Sequence, residues 1–238
     1  TTKVITLEST ALSEQWHCSV TPNDGYIDGT TKNSTFATIS SSAPYFTDSP
    51  IIFPVSPSSS MNLTCYFNTT DMEGDRVINI TTWYRNNETI LSAYWPFEGN
   101  GNEGNNITDY SGYMRTGTVH GATWNTTFAR VGSSYEFDGT SDYLETTYGF
   151  SGLTNFSVSI WAYTLTQGNY RTFWSADTSV GGCGGSGVFL GNSGVLYFRV
   201  ADSYVQSTIG DITNRWVHVM ATYSPTERKV FINGAQNL

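Results

Sequence analysis

Short stretches rich in β-branched and aromatic residues recur along the whole chain, separated by clusters of Gly, Asn, Asp, Ser and Pro. Such stretches are typical of strands and such clusters are typical of turns. The sequence shows no apolar residues at helical spacing over three turns. The pattern therefore predicts an all-β protein built from packed sheets. The clearest predicted strands span residues 3–7, 16–20, 62–67, 81–84, 157–163, 195–200, 216–223 and 229–232.

The composition excludes several classes of protein. Lys and Arg number 11 against 20 Asp and Glu, a formal charge of −9, which argues against a nucleic-acid partner. Aromatic residues make up 15% of the 238 residues, which argues against disorder. No run approaches the roughly 18 apolar residues of a membrane span, so we expect no direct membrane span.

The chain changes character twice along its length. Residues 1–42 carry two or three predicted strands and end in a serine run. Residues 43–91 open with four prolines and then give two clear strands, around Cys65 and Trp83. Residues 92–238 are rich in Gly and aromatic residues. We therefore place the main boundary near Leu91.

Two cysteines and a tryptophan suggest a β-sandwich whose strands occur in an unusual order along the chain. An immunoglobulin-like sandwich has a Cys on strand B, a buried Trp on strand C and a second Cys on strand F. Cys65 and Trp83 suit strands B and C, but the strand that suits F carries Cys18 and comes first. The alternative is that the two cysteines are unrelated buried thiols.

Longer motifs in the same region point to a family. They are Trp16-His17-Cys18-Ser19-Val20, Asp28-Gly29-Thr30-Thr31, Asp71-Met72-Glu73-Gly74-Asp75 and Trp83-Tyr84-Arg85-Asn86. Together they resemble split immunoglobulin-like repeats of large archaeal cell-surface proteins. The resemblance implies that 1–42 is the back half of one such domain and 43–91 the front half of a second.

A second set of motifs runs in order through residues 92–238. They are Tyr94-Trp95-Pro96-Phe97-Glu98-Gly99, Asp109-Tyr110-Ser111-Gly112, Gly121-Ala122-Thr123-Trp124, Tyr135-Glu136-Phe137-Asp138-Gly139, Phe156-Ser157-Val158-Ser159-Ile160-Trp161, Trp216-Val217-His218-Val219 and Lys229-Val230-Phe231-Ile232-Asn233-Gly234. This segment resembles the laminin-G-like branch of the concanavalin-A-like jelly rolls. In that family further strands follow the Asn-Gly hairpin. Those strands lie elsewhere in this chain, come from another molecule, or belong to a longer sequence.

The jelly-roll resemblance also implies a calcium site. In that family one ion often lies between the opening strand and two acidic loops, positions that Glu98, Asp109, Asp138 and Asp142 match here. Calcium favours carboxylate and carbonyl oxygens from several loops. The alternative reading, which we weigh equally, is that these residues cap turns.

The sequence carries more glycosylation motifs than chance predicts. Eight Asn-x-Ser/Thr motifs occur where about five are expected from the Asn, Ser and Thr content. An Asn- and Thr-rich β protein also generates such motifs freely, but the excess favours real glycans on an extracellular, cell-surface protein. The motifs begin at Asn33, Asn62, Asn68, Asn79, Asn87, Asn106, Asn125 and Asn155.

The cysteines point to a link between neighbouring units. About five residues join the two immunoglobulin-like halves and reach under about 20 Å. That is too short to cross a sandwich whose strands have six or seven residues. We therefore expect Cys65 to pair with Cys18 of an adjacent identical unit. Cys183 is left over in a glycine loop.

No catalytic set is visible in the sequence. The paired carboxylates of glycoside hydrolases are missing, and the three histidines lack metal-ligand spacing. The leading hypothesis is a non-enzymatic, glycosylated repeat unit of a surface filament, stalk or adhesin, which assembles head-to-tail with identical units. The alternative is a carbohydrate-binding, lectin-like module. For that alternative the candidate sugar-stacking residues are Tyr110, Tyr113, Tyr148, Tyr170 and Tyr204.

Overall fold

The computed structural model describes residues 3–6, 10–98, 105–149, 153–166, 171–176, 186–201 and 203–237. Among these residues, every regular element is a strand except the 3-10 turn Asn192–Gly194, which confirms the all-β prediction. No helix in the described ranges is long and apolar enough to span a membrane. Contacts divide the chain into two units, Thr1–Asn79 and Ile80–Leu238, and the domain boundary near Leu91 stays a prediction.

The first unit consists of paired strands without a shared sheet. Strand β1 pairs with β4 and β2 pairs with β3, both antiparallel, while β5 and β6 form a separate antiparallel hairpin. Within the described residues, no strand of the first group pairs with β5 or β6. The strands are β1 (Gln15–Trp16), β2 (Ser19–Val20), β3 (Lys32–Asn33), β4 (Ala37–Thr38), β5 (Tyr45–Phe53) and β6 (Thr64–Thr70).

The predicted strand 16–20 is interrupted at His17 and Cys18. The Cys18 amide donates to the hydroxyl of Ser34 at 2.9 Å, and the Ser34 amide donates to the Cys18 carbonyl at 2.8 Å. A side-chain acceptor thus replaces a backbone acceptor in the ladder. The prediction missed this because the alternation of residues around Cys18 carries no sign of it.

The first unit buries very little apolar surface. In its described part, the apolar residues of β5 and β6 are exposed or half-buried. Its one buried residue in that part is Asp71, whose carboxylate accepts the amides of Glu73 and Asp75. The hairpin therefore lacks the packed face that a stable two-stranded ribbon requires.

The second unit begins with short strands. Strands β7 and β8 form a hairpin, β9, β10 and β13 form one sheet, and β11 pairs with β12. Ile107 and Val119 are buried in the three-stranded sheet. The strands are β7 (Tyr84–Arg85), β8 (Glu88–Thr89), β9 (Asn106–Ile107), β10 (Gly117–His120), β11 (Thr123–Asn125), β12 (Ser134–Glu136) and β13 (Tyr143–Thr146).

The predicted strand at 81–84 also belongs to this unit. The Thr82 hydroxyl donates to the Tyr110 carbonyl at 2.8 Å. Trp83 itself precedes β7 and lies outside a strand.

Two four-stranded antiparallel sheets form the body of the second unit. Their orders are β14-β19-β20-β21 and β15-β16-β17-β18. The strands are β14 (Phe156–Tyr163), β15 (Arg171–Ser175), β16 (Gly187–Leu190), β17 (Val195–Val200), β18 (Ser203–Thr208), β19 (Trp216–Ser224), β20 (Glu227–Ile232) and β21 (Ala235–Gln236).

The hydrophobic core lies between these two sheets. Side chains on β19 alternate, so that Val217, Val219 and Ala221 are buried, as their spacing predicts. The core residues are Val188, Leu190, Leu196, Phe198, Ile212, Val217, Val219, Ala221 and Val230. This arrangement is a two-layer sandwich of the jelly-roll type.

The predicted Asn-Gly hairpin is also confirmed. Asn233 and Gly234 have φ angles of 50° and 83° and connect β20 to β21. Two consecutive positive φ angles define the tight turn that Asn-Gly favours.

Candidate functional site

Asp109 fastens the opening segment of the second unit to the loop after β9. Its Oδ1 accepts the amides of Tyr94 at 2.8 Å and Ser111 at 2.9 Å. Its Oδ2 accepts the Ser111 hydroxyl at 2.7 Å and the Arg115 amide at 2.8 Å. Burial favours the protonated form, but the backbone donors of Ser111, Tyr94 and Arg115 outweigh it, so the pKa of Asp109 lies below its usual value.

Glu98 makes a second link from the opening segment. Its Oε2 accepts the Ser133 amide at 3.0 Å and the Ser133 hydroxyl at 3.1 Å. The Ser133 hydroxyl also contacts the Phe97 carbonyl. Gly132, with φ of 59°, leaves room for this carboxylate, because a Cβ there would collide with it.

Asp138 and Asp142 organise the turn between β12 and β13. Asp138 Oδ1 accepts the amides of Thr140, Ser141 and Asp142 at 2.8, 3.0 and 3.2 Å. Asp142 Oδ2 accepts the Asp138 amide at 2.9 Å. The Thr140 and Ser141 amides hold the pKa of Asp138 well below its usual value. These contacts match the turn-capping alternative.

The four predicted calcium ligands serve three separate segments, because Asp138 and Asp142 share one turn. Within the described ranges, no three His, Cys, Asp or Glu side chains converge as metal ligands. Each oxygen of Asp109 already accepts two hydrogen bonds. Calcium binding by Glu98, Asp109, Asp138 and Asp142 stays a prediction, and chelation tests it.

The two strand cysteines are not bonded within the chain. Cys18 is exposed and Cys65 is half-buried, and both are free. Pairing between units therefore stays a prediction. Cys183 lies outside the described residues.

The sequon asparagines lie mostly at the surface. Seven are exposed, and Asn125 is half-buried. Asn125 Oδ1 accepts the amides of Thr127 and Phe128 at 2.9 and 2.8 Å, so its side chain already caps a turn. The exposed asparagines are Asn33, Asn62, Asn68, Asn79, Asn87, Asn106 and Asn155.

The four predicted sugar-stacking tyrosines that lie within the described residues do not form one site. Tyr113 and Tyr148 hold the Arg115 guanidinium between them, at 4.4 and 3.9 Å from their ring centroids. Tyr204 is exposed and lies against Tyr197. Tyr110 is half-buried, and Tyr170 lies outside the described residues.

A different aromatic group lies on the outer face of the β14-β19 sheet. Trp161 lies directly opposite His218, with ring centroids 5.1 Å apart, and its side chain is 45% exposed. The Arg130 guanidinium lies 4.8 Å from the Trp161 ring centroid. We call Trp161, Arg130, Ser159, His218 and Asn233 the Trp161 patch. The sequence did not indicate this patch, because Arg130 comes from a loop that is distant along the chain from Trp161 and His218.

Hydrogen bonds fix the polar members of the Trp161 patch. The hydroxyl of Ser159 and Nε2 of His218 are 2.8 Å apart. The His218 amide donates to Oδ1 of Asn233 at 3.0 Å, and the Asn233 amide donates to the His218 carbonyl at 2.9 Å. The patch thus combines an exposed aromatic ring, a cation and oriented polar groups.

One comparison with known proteins gives a match. Residues 138–237 match the model of the Laminin_G_3 family, described as the concanavalin A-like lectin/glucanases superfamily. Neither the curated proteins nor the solved structures gave a match. The match confirms the jelly-roll prediction for this segment, which holds both four-stranded sheets. The split immunoglobulin-like halves remain a prediction.

Proposed function

We propose that the chain is a non-catalytic, glycosylated extracellular unit that assembles head-to-tail with identical copies. In this proposal each copy completes a sandwich of its neighbour. The observation that carries it is the incompletely covered face of the β5-β6 hairpin, on which Cys65 and Phe67 are half-buried. On that face Phe46 and Ile52 are 56% and 50% exposed.

The hairpin has two chemically different faces. Ile52 pairs with Cys65, and Phe67 follows on the same side. Asp48 and Ile51 pair with Asn68 and Tyr66 on the other side. Because Asn68 is a predicted glycosylation site, the Asn68 face is suited to solvent. The Cys65 face is therefore the one that a partner would cover.

The physical argument for a partner is the cost of leaving this face in water. Burying a side chain such as Ile or Phe stabilises by about 1.5–3 kcal/mol. Uncovered apolar faces and open strand edges mark sites of association. Among the described residues, β1–β4 do not pair with this hairpin, so the proposed occupant is the same group of strands from the next copy.

The proposed cross-link follows from the same arrangement. Cys18 of one copy would meet Cys65 of the next, as strands F and B meet in an immunoglobulin-like sandwich. Such a bond would lock neighbours covalently, and reduction would weaken the assembly.

Native mass and electron microscopy of the purified protein test this proposal. We expect regular filaments, and oligomers on gels that lose their cross-links in Cys65→Ser but not in the control Cys183→Ser. A monomer at all concentrations, without filaments, would contradict the proposal. An intrachain Cys18–Cys65 bond would contradict it as well.

The second candidate function is carbohydrate binding by the jelly roll. The family match at 138–237 favours it, because that family is described by its lectins and glucanases. A glycan array with dispersed monomers separates the two functions. Sugar binding by monomers that do not assemble would favour this candidate.

A further inference from the structure

The outer face of the β14-β19 sheet carries an unusual concentration of aromatic rings. Phe128 packs on Tyr163 and Trp216, with ring centroids 4.7 and 5.8 Å away, and covers one end of this face. Trp161 lies beside that covered end and remains 45% exposed. Arg130 lies over part of this indole, and the part of the ring that stays exposed offers a flat apolar surface to a ligand.

Arg130 gives this surface its charge. In the described ranges the ion pairs are His120–Glu145 and Lys229–Glu227, so Arg130 has no carboxylate partner there. Neither β14 nor β19 contains an acidic residue, although the chain carries a net charge of −9. A guanidinium has the planar fork that binds a carboxylate through two parallel hydrogen bonds.

Asn233 adds an oriented donor. Its Oδ1 accepts the His218 amide, which leaves its NH2 group directed elsewhere. No acceptor for that NH2 group is present among the residues that the structure describes. Asn233 lies next to His218, the residue that pairs with Trp161, and its amide donor suits a ring oxygen or hydroxyl of a sugar.

We propose that the Trp161 patch binds an acidic sugar, a pyranose that carries a carboxylate. Trp161 stacks on the apolar face of the ring, Arg130 binds the carboxylate and Asn233 donates to a sugar oxygen. This inference rests on the second candidate function, carbohydrate binding, and is independent of assembly.

The test measures binding of the full chain, as dispersed monomer, to neutral and uronic-acid oligosaccharides by array and calorimetry. We expect uronic-acid binding that weakens with salt. Trp161→Ala and Arg130→Gln should each weaken it by about tenfold or more, as loss of about 1.4 kcal/mol implies. The matched control is Tyr26→Ala, which removes an exposed aromatic from the first unit and should leave the affinity unchanged.

The possible outcomes distinguish failure of the Trp161 patch as the binding site from failure of carbohydrate binding as the function. Undiminished acidic-sugar binding by both patch variants would overturn the site and leave carbohydrate binding standing. Binding of neutral sugars alone would overturn the acidic class. No sugar binding by the wild type would overturn both. Arg130→Gln changes an exposed side chain, so it tests the site even if Trp161→Ala fails to fold.

Discussion

Glu98 accepts hydrogen bonds from both the backbone amide and the hydroxyl of Ser133, a residue 35 positions later in the chain. Ser133 is buried, so these bonds form where water competes poorly. Together with Asp109, Glu98 fastens the opening segment of the second unit to two loops. Glu98 and Asp109, which the sequence suggested as calcium ligands, thus link separate segments of the chain through hydrogen bonds.

The first prediction concerns the space that Glu98 occupies. Gly132→Ala should destabilise the second unit, because it combines a positive φ with a collision at the Glu98 carboxylate. The matched control is Gly210→Ala, which has φ of 71° and nothing within 4 Å of the added Cβ. Urea unfolding should show a larger loss of unfolding free energy for Gly132→Ala than for Gly210→Ala. Equal losses would mean that the positive φ angle alone accounts for the destabilisation and that the collision with Glu98 adds nothing.

The second prediction concerns Asp109. Its pKa is lowered on folding, so its ionised form stabilises the fold above the unfolded pKa of about 3.9, and this contribution is lost as pH falls through the folded pKa. Asp109→Asn should therefore cost about 1–3 kcal/mol at pH 7 and progressively less below about pH 4. Urea melts at pH 7 and pH 3 check this. A cost independent of pH would show that the charge does not matter.

The jelly roll could be predicted from sequence in some detail, whereas the first unit could not. The predicted strand 195–200 coincides with β17, and 216–223 falls within β19. Burial explains this success, because alternate residues of these strands face one core and their apolar periodicity is strong. In the first unit the strands lack a described core, so local contacts such as Cys18 with Ser34 determine where strands break.

The candidate sites, too, could be predicted from the sequence only in part. Asp109 and Asp138 could be located because their loops carry recognisable Asp-Ser and Asp-Gly turns. Whether those carboxylates meet one another depends on loop positions that turn chemistry does not specify. The Trp161 patch could not be predicted, since it joins Arg130 to a pair of neighbouring strands through tertiary contact alone.

The third prediction concerns calcium. If an ion links Glu98, Asp109, Asp138 and Asp142, adding a chelator should lower the melting temperature, because the ion stabilises only the folded state. Asp138→Asn should abolish that shift. An unchanged melting temperature after chelation would leave turn capping as the role of these residues.

The fourth prediction concerns glycans. Intact mass of the native protein should exceed the 26.2 kDa of the bare polypeptide. If modification acts on the folded chain, peptide mapping should find sugar at exposed asparagines such as Asn68 and little at Asn125, whose side chain caps a turn. A mass equal to that of the polypeptide would contradict glycosylation. Full occupancy of Asn125 would show that modification precedes folding.

The fifth prediction separates the two faces of the β5-β6 hairpin. Ile51 and Ile52 are neighbours of the same type, exposed by 60% and 50%, but Ile52 shares its face with Cys65 and Ile51 shares its face with Tyr66. If the Cys65 face is covered by a second copy, Ile52→Ser removes about 1.5–3 kcal/mol from association, which is roughly tenfold or more in the dissociation constant.

The matched control for that change is Ile51→Ser, which should leave association nearly unchanged because its face stays in solvent. Both variants should melt at nearly the wild-type temperature as monomers, since both side chains are already exposed there. Sedimentation over a range of concentrations measures the two dissociation constants. Equal effects of the two substitutions would contradict burial of the Cys65 face, and a larger effect of Ile51→Ser would assign the interface to the face that carries Asn68.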